Sequence, residues 1–215
     1  MAEIKAAIFD MDGVIVDTVP IHFKSWQKMF SGYGIEFTFE DYKQKVDGIP
    51  RIDGTRAILT NLSPDEIEQA ALKKQGFFLE YLKSEPIPVF DSTVAFIKTL
   101  RSNGVKTAII SSSKNCPFIL EKTNLFSLFD AVVSGNDITK GKPDPQIFLI
   151  AAEKLNIHPE NCIVIEDAVL GVEAARNANM KCIGVNRHND AKSLENADLI
   201  VTDLKEIDYS KIKEL

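Results

Sequence analysis

Short apolar runs alternate along this chain with longer stretches in which apolar positions recur every three or four residues. The runs have the length of strands, and several are uninterrupted, which is typical of strands buried on both faces of a parallel sheet. They lie at residues 6–9, 107–110, 131–133, 162–165, 182–185 and 199–201. Helical periodicity between them predicts helices at residues 93–103, 146–156 and 169–178. This alternation predicts an α/β fold with a doubly wound parallel sheet.

Two of these predicted helices carry end signals. Gly104 follows the helix at residues 93–103 and suits the position just beyond a helix, where the backbone often turns left-handed. Asp144 and Pro145 precede the helix at residues 146–156 and are expected at its N-cap and first helical position.

The first apolar run is not followed by a second strand until about residue 105. The intervening pattern is helical at residues 20–33, 39–46, 53–59 and 65–81. We therefore predict a helical cap domain at residues 17–86, inserted after strand 1. Residues 1–16 and 87–215 then form a Rossmann-like core.

Asp10, Asp12 and Gly13 come directly after the first predicted strand. Ligand sites in open parallel sheets lie beyond the carboxyl ends of strands. Alternation places Asp10 and Asp12 on one side of a locally extended chain, where one carboxylate can attack and the other can move a proton. On its own, an Asp-x-Asp pair is more typical of a polar turn after a strand.

Three later features also follow predicted strands or precede helices. Ser111 begins a run of hydroxyl and amide groups that includes Ser113, Lys114 and Asn115 and could hold an anion or simply cap a helix. Lys142 precedes the turn before a helix, where it could bind phosphate or be a solvated lysine.

Glu166 and Asp167 follow the apolar run at residues 162–165. Adjacent acids beside buried apolar chain are costly unless they meet a cation, and oxygen ligands suit Mg²⁺. The chain thus carries, in this order, the Asp-x-Asp pair, a serine, a lysine and the acidic pair. Together they supply a nucleophile, an acid/base, groups that bind phosphate and metal ligands.

The composition narrows the possible partners. The net charge of −6 argues against nucleic acid, although local cations and a metal still allow a small phosphorylated sugar. No apolar run approaches the ~20 residues that cross a bilayer, so we expect no membrane partner. Asp10 and Asp12 come too early for a signal peptide, and we expect a cytoplasmic monomer. The three cysteines show no metal spacing, and those at 162 and 182 are expected to be buried free thiols.

The motifs DMDGVIVDT, GKPDP and IEDAVLGVEAA and the strand ending in Ser111 resemble the four motifs of the haloacid dehalogenase superfamily. The stretches DMDGVIVDTVPIHFKSW, GIPRIDG, SSSKNCPFILEKTNLFSLFDA and KPDPQIF are similar to its β-phosphoglucomutase branch. The resemblance covers essentially the whole chain. It implies a parallel core of five or six strands and a four-helix cap closing over the site.

The same resemblance implies residue roles. Asp10 would be the nucleophile and Asp12 the general acid/base, while Asp10, the Asp12 carbonyl, Glu166 and Asp167 would hold Mg²⁺. Ser111 and Lys142 would bind the transferring phosphoryl group. Ser113, Lys114 and Asn115 would contact a second phosphate, and His22, Arg51 and Lys74 of the cap would face the site.

The cap residues also have ordinary structural interpretations. His22 lies one helical turn before Trp26, which is typical of packing. Lys74 follows another lysine, as on a solvated helix face. Arg51 is predicted in a loop between helices, beside Gly48 and Pro50, where a planar guanidinium suits a phosphate.

The favoured function is a sugar phosphomutase that interconverts β-glucose 1-phosphate and glucose 6-phosphate through an aspartyl phosphate and a 1,6-bisphosphate. The alternative is a Mg²⁺-dependent phosphohydrolase of a small sugar phosphate with the same nucleophile. A receiver-type signalling module is disfavoured by the insert and the acidic pair, and a dehalogenase has no need of Asp12. The four motifs do not separate the mutase from the hydrolase.

Overall fold

The computed structural model of the protein describes residues 3–46, 49–187 and 194–215. The chain divides into two compact units. The core unit comprises Met1–Asp17 and Ile87–Leu215, and the helical unit comprises Thr18–Pro86. Gly48, which the sequence places near Arg51, lies outside the described residues.

The core unit contains a six-stranded parallel sheet in the order β3-β2-β1-β4-β5-β6. Its strands are β1 (Ala6–Asp10), β2 (Lys106–Ile110), β3 (Ala131–Val133), β4 (Cys162–Glu166), β5 (Lys181–Val185) and β6 (Leu199–Val201). Each contains a predicted apolar run, and four extend it by one polar residue. All five residues of β1 and of β4 are buried, because both strands are central and covered on both faces.

Within its described residues, 18–46 and 49–86, the helical unit contains four helices. They are α1 (Val19–Ser31), α2 (Phe39–Lys45), α3 (Arg51–Ile58) and α4 (Pro64–Ser84). Thr38 and Ser63 begin α2 and α4 with reciprocal capping boxes to Asp41 and Glu66. An aromatic cluster holds the unit together, with the Trp26 and Phe30 rings stacked at 5.4 Å between centroids.

The core helices are α5 (Asp91–Ser102), α6 (Cys116–Lys122), α7 (Gln146–Leu155), α8 (Val169–Asn177) and α9 (Tyr209–Lys213). Short 3-10 turns lie at Phe126–Leu128, Pro159–Asn161 and Leu204–Glu206. Fully buried residues of α7 and α8 pack with the strands into one apolar core. The predicted α/β class with a parallel sheet is therefore confirmed.

Two local predictions were wrong. Arg51 does not lie in a loop but is the first residue of α3, whose N-cap is Pro50 with a non-helical ψ of 136°. The N-cap of α7 is Pro145 and not Asp144, although the Asp144 carboxylate still accepts a hydrogen bond from the Gln146 N–H at 3.0 Å. Gly104 has a positive φ of 80° after α5, as predicted.

Cys116, Cys162 and Cys182 are buried free thiols, as expected for the latter two. Within the described part of the chain, no helix combines the length and the apolar character needed to cross a membrane.

Candidate active site

Sheet topology brings the predicted core residues to one edge. β1 is a central strand between β2 and β4, so the ends of these three strands are neighbours. Asp10 is the last residue of β1, Glu166 is the last residue of β4, and Ser111 directly follows β2. The parallel arrangement thus places an acid, a second acid and a hydroxyl side by side.

Lys142 joins the two strand-end acids. Its Nζ donates to Asp10 Oδ1 at 2.6 Å and to a carboxylate oxygen of Glu166. The other Glu166 oxygen accepts hydrogen bonds from the backbone N–H groups of Asp167 at 2.6 Å and Ala168 at 2.9 Å. Glu166 is fully buried, and its hydrogen bonds offset the cost of burying its charge.

Two glycines leave space for the acidic pair. Gly13 has a φ of 78°, and a Cβ on it would lie 1.8 Å from Asp167 Oδ2. A Cβ on Gly171 of α8 would lie 1.7 Å from Glu166 Oε1. Any side chain at either position would displace a carboxylate, so both glycines are needed for this arrangement.

The carboxylates perturb each other's titration. Burial above all, and then Glu166 and Asp12, raise the pKa of Asp10 to about 8, although Lys142 acts against them. Burial above all, and then Glu166 and Asp10, raise the pKa of Asp167 well above its usual range. Burial alone would lower the pKa of Lys142, but Asp10 and Glu166 outweigh it and raise that pKa.

This arrangement fits a divalent cation. Asp10, Glu166 and Asp167 each offer a carboxylate oxygen, and these atoms lie within 4.8 Å of one another. The only ligand type in this set is oxygen, which Mg²⁺ and Ca²⁺ prefer. A cation beside Asp10 and Asp167 would favour their ionised forms and so offset the raised pKa values.

The loop after β2 is organised around Ser111. Its hydroxyl lies 3.4 Å from Asp12 Oδ2 and accepts a hydrogen bond from the Ser113 N–H at 3.0 Å. The Ser113 hydroxyl in turn accepts from the Asn115 N–H at 3.1 Å. Lys114 is exposed, whereas Ser111 is buried. The structure therefore places Ser111 beside Asp12 and arranges the following residues as successive turns.

A second group of predicted residues lies within the helical unit. Lys74 of α4 is buried, and its Nζ lies 2.9 Å from His22 Nδ1 of α1. The same Nζ lies 5.0 Å from the centroid of the Trp26 ring and 4.9 Å from that of Phe78. The His22 and Phe78 rings are stacked, with 4.3 Å between centroids. Lys74 is therefore not on a solvated helix face.

Arg51 adds a second cation to this group. Its Nη1 donates to Gln75 Oε1 at 2.6 Å, and its Nε is buried without a hydrogen-bond partner. Over residues 3–46, 49–187 and 194–215, neither Arg51 nor Lys74 forms an ion pair with a carboxylate. Burial and then Arg51 lower the pKa of Lys74 to about 7. Burial and then Lys74 lower the pKa of His22 well below its ordinary value.

A sequence model of the haloacid dehalogenase-like hydrolases matches residues 4–179, most of the chain. The protein belongs to the haloacid dehalogenase-like family. This membership confirms the resemblance inferred from the motifs.

Members of the haloacid dehalogenase-like family that are named for different activities are similar to this chain to the same degree. A β-phosphoglucomutase of Bacillus subtilis is 32% identical over 98% of this chain and 94% of its own length. A phosphorylated carbohydrates phosphatase of Thermotoga maritima is 33% identical over 98% and 99%. The crystal structure of a β-phosphoglucomutase from Clostridium difficile is 30% identical, with a TM-score of 0.83 over 98% of this chain and 96% of that one.

Sequence reasoning missed one residue of this haloacid dehalogenase-like site. Arg187 follows β5, and its side chain reaches the carbonyl oxygens of Gly13 and Val14 beside the Asp10–Asp12 motif. The rule that selected the other residues, a polar residue at the carboxyl end of a parallel strand, also selects Arg187.

Proposed function

We propose that the protein is a sugar phosphomutase that interconverts β-glucose 1-phosphate and glucose 6-phosphate. The observation that carries the proposal is a pair of basic side chains in the helical unit. The Lys74 amine, whose pKa is lowered to about 7, would be protonated when a phosphate is bound beside it. Lys74 and Arg51 contact uncharged partners, and within the described residues neither forms an ion pair with a carboxylate. A mutase that works through a bisphosphate needs cations for a second phosphate, whereas hydrolysis of a monophosphate needs one phosphate site.

In the proposed reaction, Asp10 attacks the phosphorus of the bisphosphate. A bond forms between phosphorus and an Asp10 oxygen, and the bond from phosphorus to the sugar oxygen breaks. Asp12 gives its proton to that leaving oxygen. In the reverse half-reaction, a sugar hydroxyl attacks the aspartyl phosphate, and the Asp12 carboxylate takes the hydroxyl proton. Each half-reaction therefore restores the protonation state that the other requires.

Lys142 would stabilise the negative charge of the transferring phosphoryl group. Its ammonium already contacts Asp10, so it can stabilise the negative oxygens of a phosphoryl group transferred to that carboxylate. Ser111 would donate a hydrogen bond to the same group. Because Glu166 accepts from Lys142 and from two backbone N–H groups, we assign it mainly the task of orienting Lys142.

Mg²⁺ is the proposed cofactor. Asp10, Asp167 and the Asp12 carbonyl would be its main ligands, and Glu166 would be a weaker one. The cation would neutralise charge on the phosphoryl oxygens.

In the helical unit, Arg51 and Lys74 would bind the second phosphate, and His22 would hold the Lys74 amine in place. In the core unit, Ser113, Lys114 and Asn115 are proposed as hydrogen-bond donors to a phosphate of the substrate.

A phosphohydrolase of a small sugar phosphate is the second candidate, because the Thermotoga maritima phosphatase is as similar to this chain as the mutase of Bacillus subtilis. It would use the same Asp10 and Asp12, with water in place of the sugar hydroxyl. The two candidates differ in how long the aspartyl phosphate must survive. A mutase must exclude water until the intermediate has reoriented.

The deciding experiment follows two products from one incubation. The protein receives β-glucose 1-phosphate, Mg²⁺ and a trace of the 1,6-bisphosphate, and glucose 6-phosphate and inorganic phosphate are both measured. We expect glucose 6-phosphate to account for nearly all substrate consumed, and no product with the Asp10→Asn control. Inorganic phosphate released in equal amount to the substrate consumed would contradict the mutase and favour the hydrolase.

A further inference from the structure

The two chain segments that join the units are paired within the core unit. Val16 and Val89 form an isolated antiparallel bridge. The Phe90 N–H donates to the Ile15 carbonyl and the Asp17 N–H donates to the Pro88 carbonyl, both at 2.9 Å. We call residues 14–17 and 87–90 the paired crossings, since every residue of the helical unit lies between them in sequence.

The Arg187 guanidinium binds the first of these crossings and the residue before it. Its Nε donates to the Gly13 carbonyl at 2.9 Å, and its Nη2 donates to the Val14 carbonyl at 3.2 Å. Nη2 also lies 3.0 Å from the hydroxyl oxygen of Thr93, which is fully buried and donates to the same Val14 carbonyl at 2.7 Å.

The same guanidinium covers the second crossing. Its central carbon lies 3.6 Å from the centroid of the Phe90 ring, which is the distance of a stacked cation–π contact. Its Nη1 lies 3.6 Å from Asp203 Oδ2, which balances its charge. Only 13% of the Arg187 side chain is exposed, so these contacts are largely screened from water.

Gly13 connects this arrangement to the reacting residues. It follows Asp12 directly, and its N–H donates to the Val16 carbonyl at 2.9 Å. Its left-handed backbone leaves the space in which the Asp167 carboxylate lies. A movement of the Gly13 peptide would therefore displace Asp12 along the chain and Asp167 through space.

We propose that Arg187 is a positioning residue for phosphoryl transfer, which holds Gly13 and the paired crossings in the geometry that Asp12 and Asp167 require. The inference rests on the proposed phosphoryl-transfer function but not on the choice between mutase and hydrolase. Two different nitrogens of the planar Arg187 guanidinium donate to the Gly13 and Val14 carbonyl oxygens. A lysine has a single side-chain nitrogen and does not reproduce this arrangement.

Arg101 supplies a matched control elsewhere in the core unit. Its Nη1 donates to the Thr107 hydroxyl at 2.9 Å, to the Leu128 carbonyl at 3.1 Å and to the Asp130 carboxylate at 2.9 Å. It thus contacts the same three kinds of group as Arg187. Thr107 is near the amino end of β2, whereas Ser111 follows the carboxyl end of the same strand.

The test compares Arg187→Met, Arg187→Lys and Arg101→Met with the parent. Thermal unfolding first shows that each variant is folded. For both Arg187 variants we expect kcat to fall ~10- to 100-fold with KM nearly unchanged, the range seen when groups that orient metal ligands are removed. Calorimetric titration with Mg²⁺ alone should show weaker binding by a factor in the same range. Arg101→Met should lose stability but keep the parental kcat and Mg²⁺ affinity.

The proposal is overturned if folded Arg187→Met matches Arg101→Met in both kcat and Mg²⁺ affinity. Parental values in Arg187→Lys would also overturn it, and that variant decides alone if the methionine variant does not fold. A failure of the proposed function is distinguishable, because it would appear in the parent as absence of turnover. The Mg²⁺ titration of parent and variants would then decide the role of Arg187.

Discussion

Replacing Lys74 by methionine changes the stability of the helical unit in a pH-dependent way. The buried amine has its pKa lowered from 10.5 to about 7, first by burial and then by Arg51. In the unfolded chain the same amine titrates near its ordinary value. Between these two values the unfolded state binds a proton that the folded state lacks, so the folded parent loses stability as the pH falls from 10.5 to 7.

The size of the effect follows from the two pKa values. At ~1.36 kcal/mol per pH unit, and with the folded amine half-protonated at pH 7, the difference corresponds to about 4 kcal/mol at pH 7 and to about 2 kcal/mol at pH 9. Methionine removes this cost but also removes the hydrogen bond to His22, worth about 1 kcal/mol. We therefore expect Lys74→Met to be more stable than the parent by about 3 kcal/mol at pH 7, and the gain to shrink by about 2 kcal/mol at pH 9.

The assay is urea unfolding between pH 7 and pH 9, followed by tryptophan fluorescence. The chain has one tryptophan, Trp26, and it lies beside Lys74 in the helical unit, so its emission reports on this unit. This pH range lies above the His22 titration, whose pKa is lowered further in the fold. Lys73→Met is the control, because Lys73 is the exposed neighbour on α4. Parallel stability curves for parent and Lys74→Met across this range would show that the amine is charged when folded, and would refute the reasoning.

Three further predictions concern the reaction. Asp12→Ala should lower kcat by ~10²–10⁴-fold, as expected for loss of a general acid/base, and an unchanged rate would remove Asp12 from that role. A chelator should abolish turnover and Mg²⁺ should restore it, and Asp167→Ala should raise the Mg²⁺ concentration required more than Glu166→Gln does. If the parent and both variants require the same Mg²⁺ concentration, the two acids have only a structural role. Arg51→Ala should weaken productive binding by a few kcal/mol and raise the ratio of inorganic phosphate to glucose 6-phosphate, whereas an unchanged rate and ratio would show that Arg51 binds no phosphate.

The strands were predictable because their signal is local. β1 and β4 are buried on both faces, so their sequences are uninterrupted apolar runs. Their final residues, Asp10 and Glu166, were read as motif residues following the strands, because a carboxylate ends an apolar run even where strand pairing continues. The order of the strands depends on long-range pairing, which a local pattern does not contain.

The helical unit shows where local signals mislead. Arg51, beside Pro50, was predicted in a loop before a helix at residues 53–59, yet α3 already begins at Arg51. A Cβ on Gly54 inside this helix would lie 3.2 Å from the Trp26 ring. Close helix packing therefore explains this glycine. The adjacent Lys73 and Lys74 have the same local signal, and only the helix phase against Trp26 and Phe78 makes one exposed and the other buried.

The core site was predicted as a set of residues but not as a network. Strand-end positions selected Asp10, Ser111 and Glu166, and the sheet brings these ends together. The ion pair from Lys142 to Glu166 was not foreseen, because an adjacent acidic pair predicts a cation without indicating which acid it contacts. The role of Gly171 depends on the approach of α8 to Glu166, which becomes evident only in three dimensions.

Phosphoryl transfer to Asp10 is the central claim, and trapping the phosphorylated enzyme tests it most directly. The protein is mixed with Mg²⁺ and the 1,6-bisphosphate, quenched in acid during turnover, and digested for peptide mass spectrometry. We predict a phosphoryl group on the peptide that contains Asp10, formed before product appears and absent from folded Asp10→Asn. Turnover by the parent with no phosphorylated enzyme, or with the phosphoryl group on a different residue, would contradict the account.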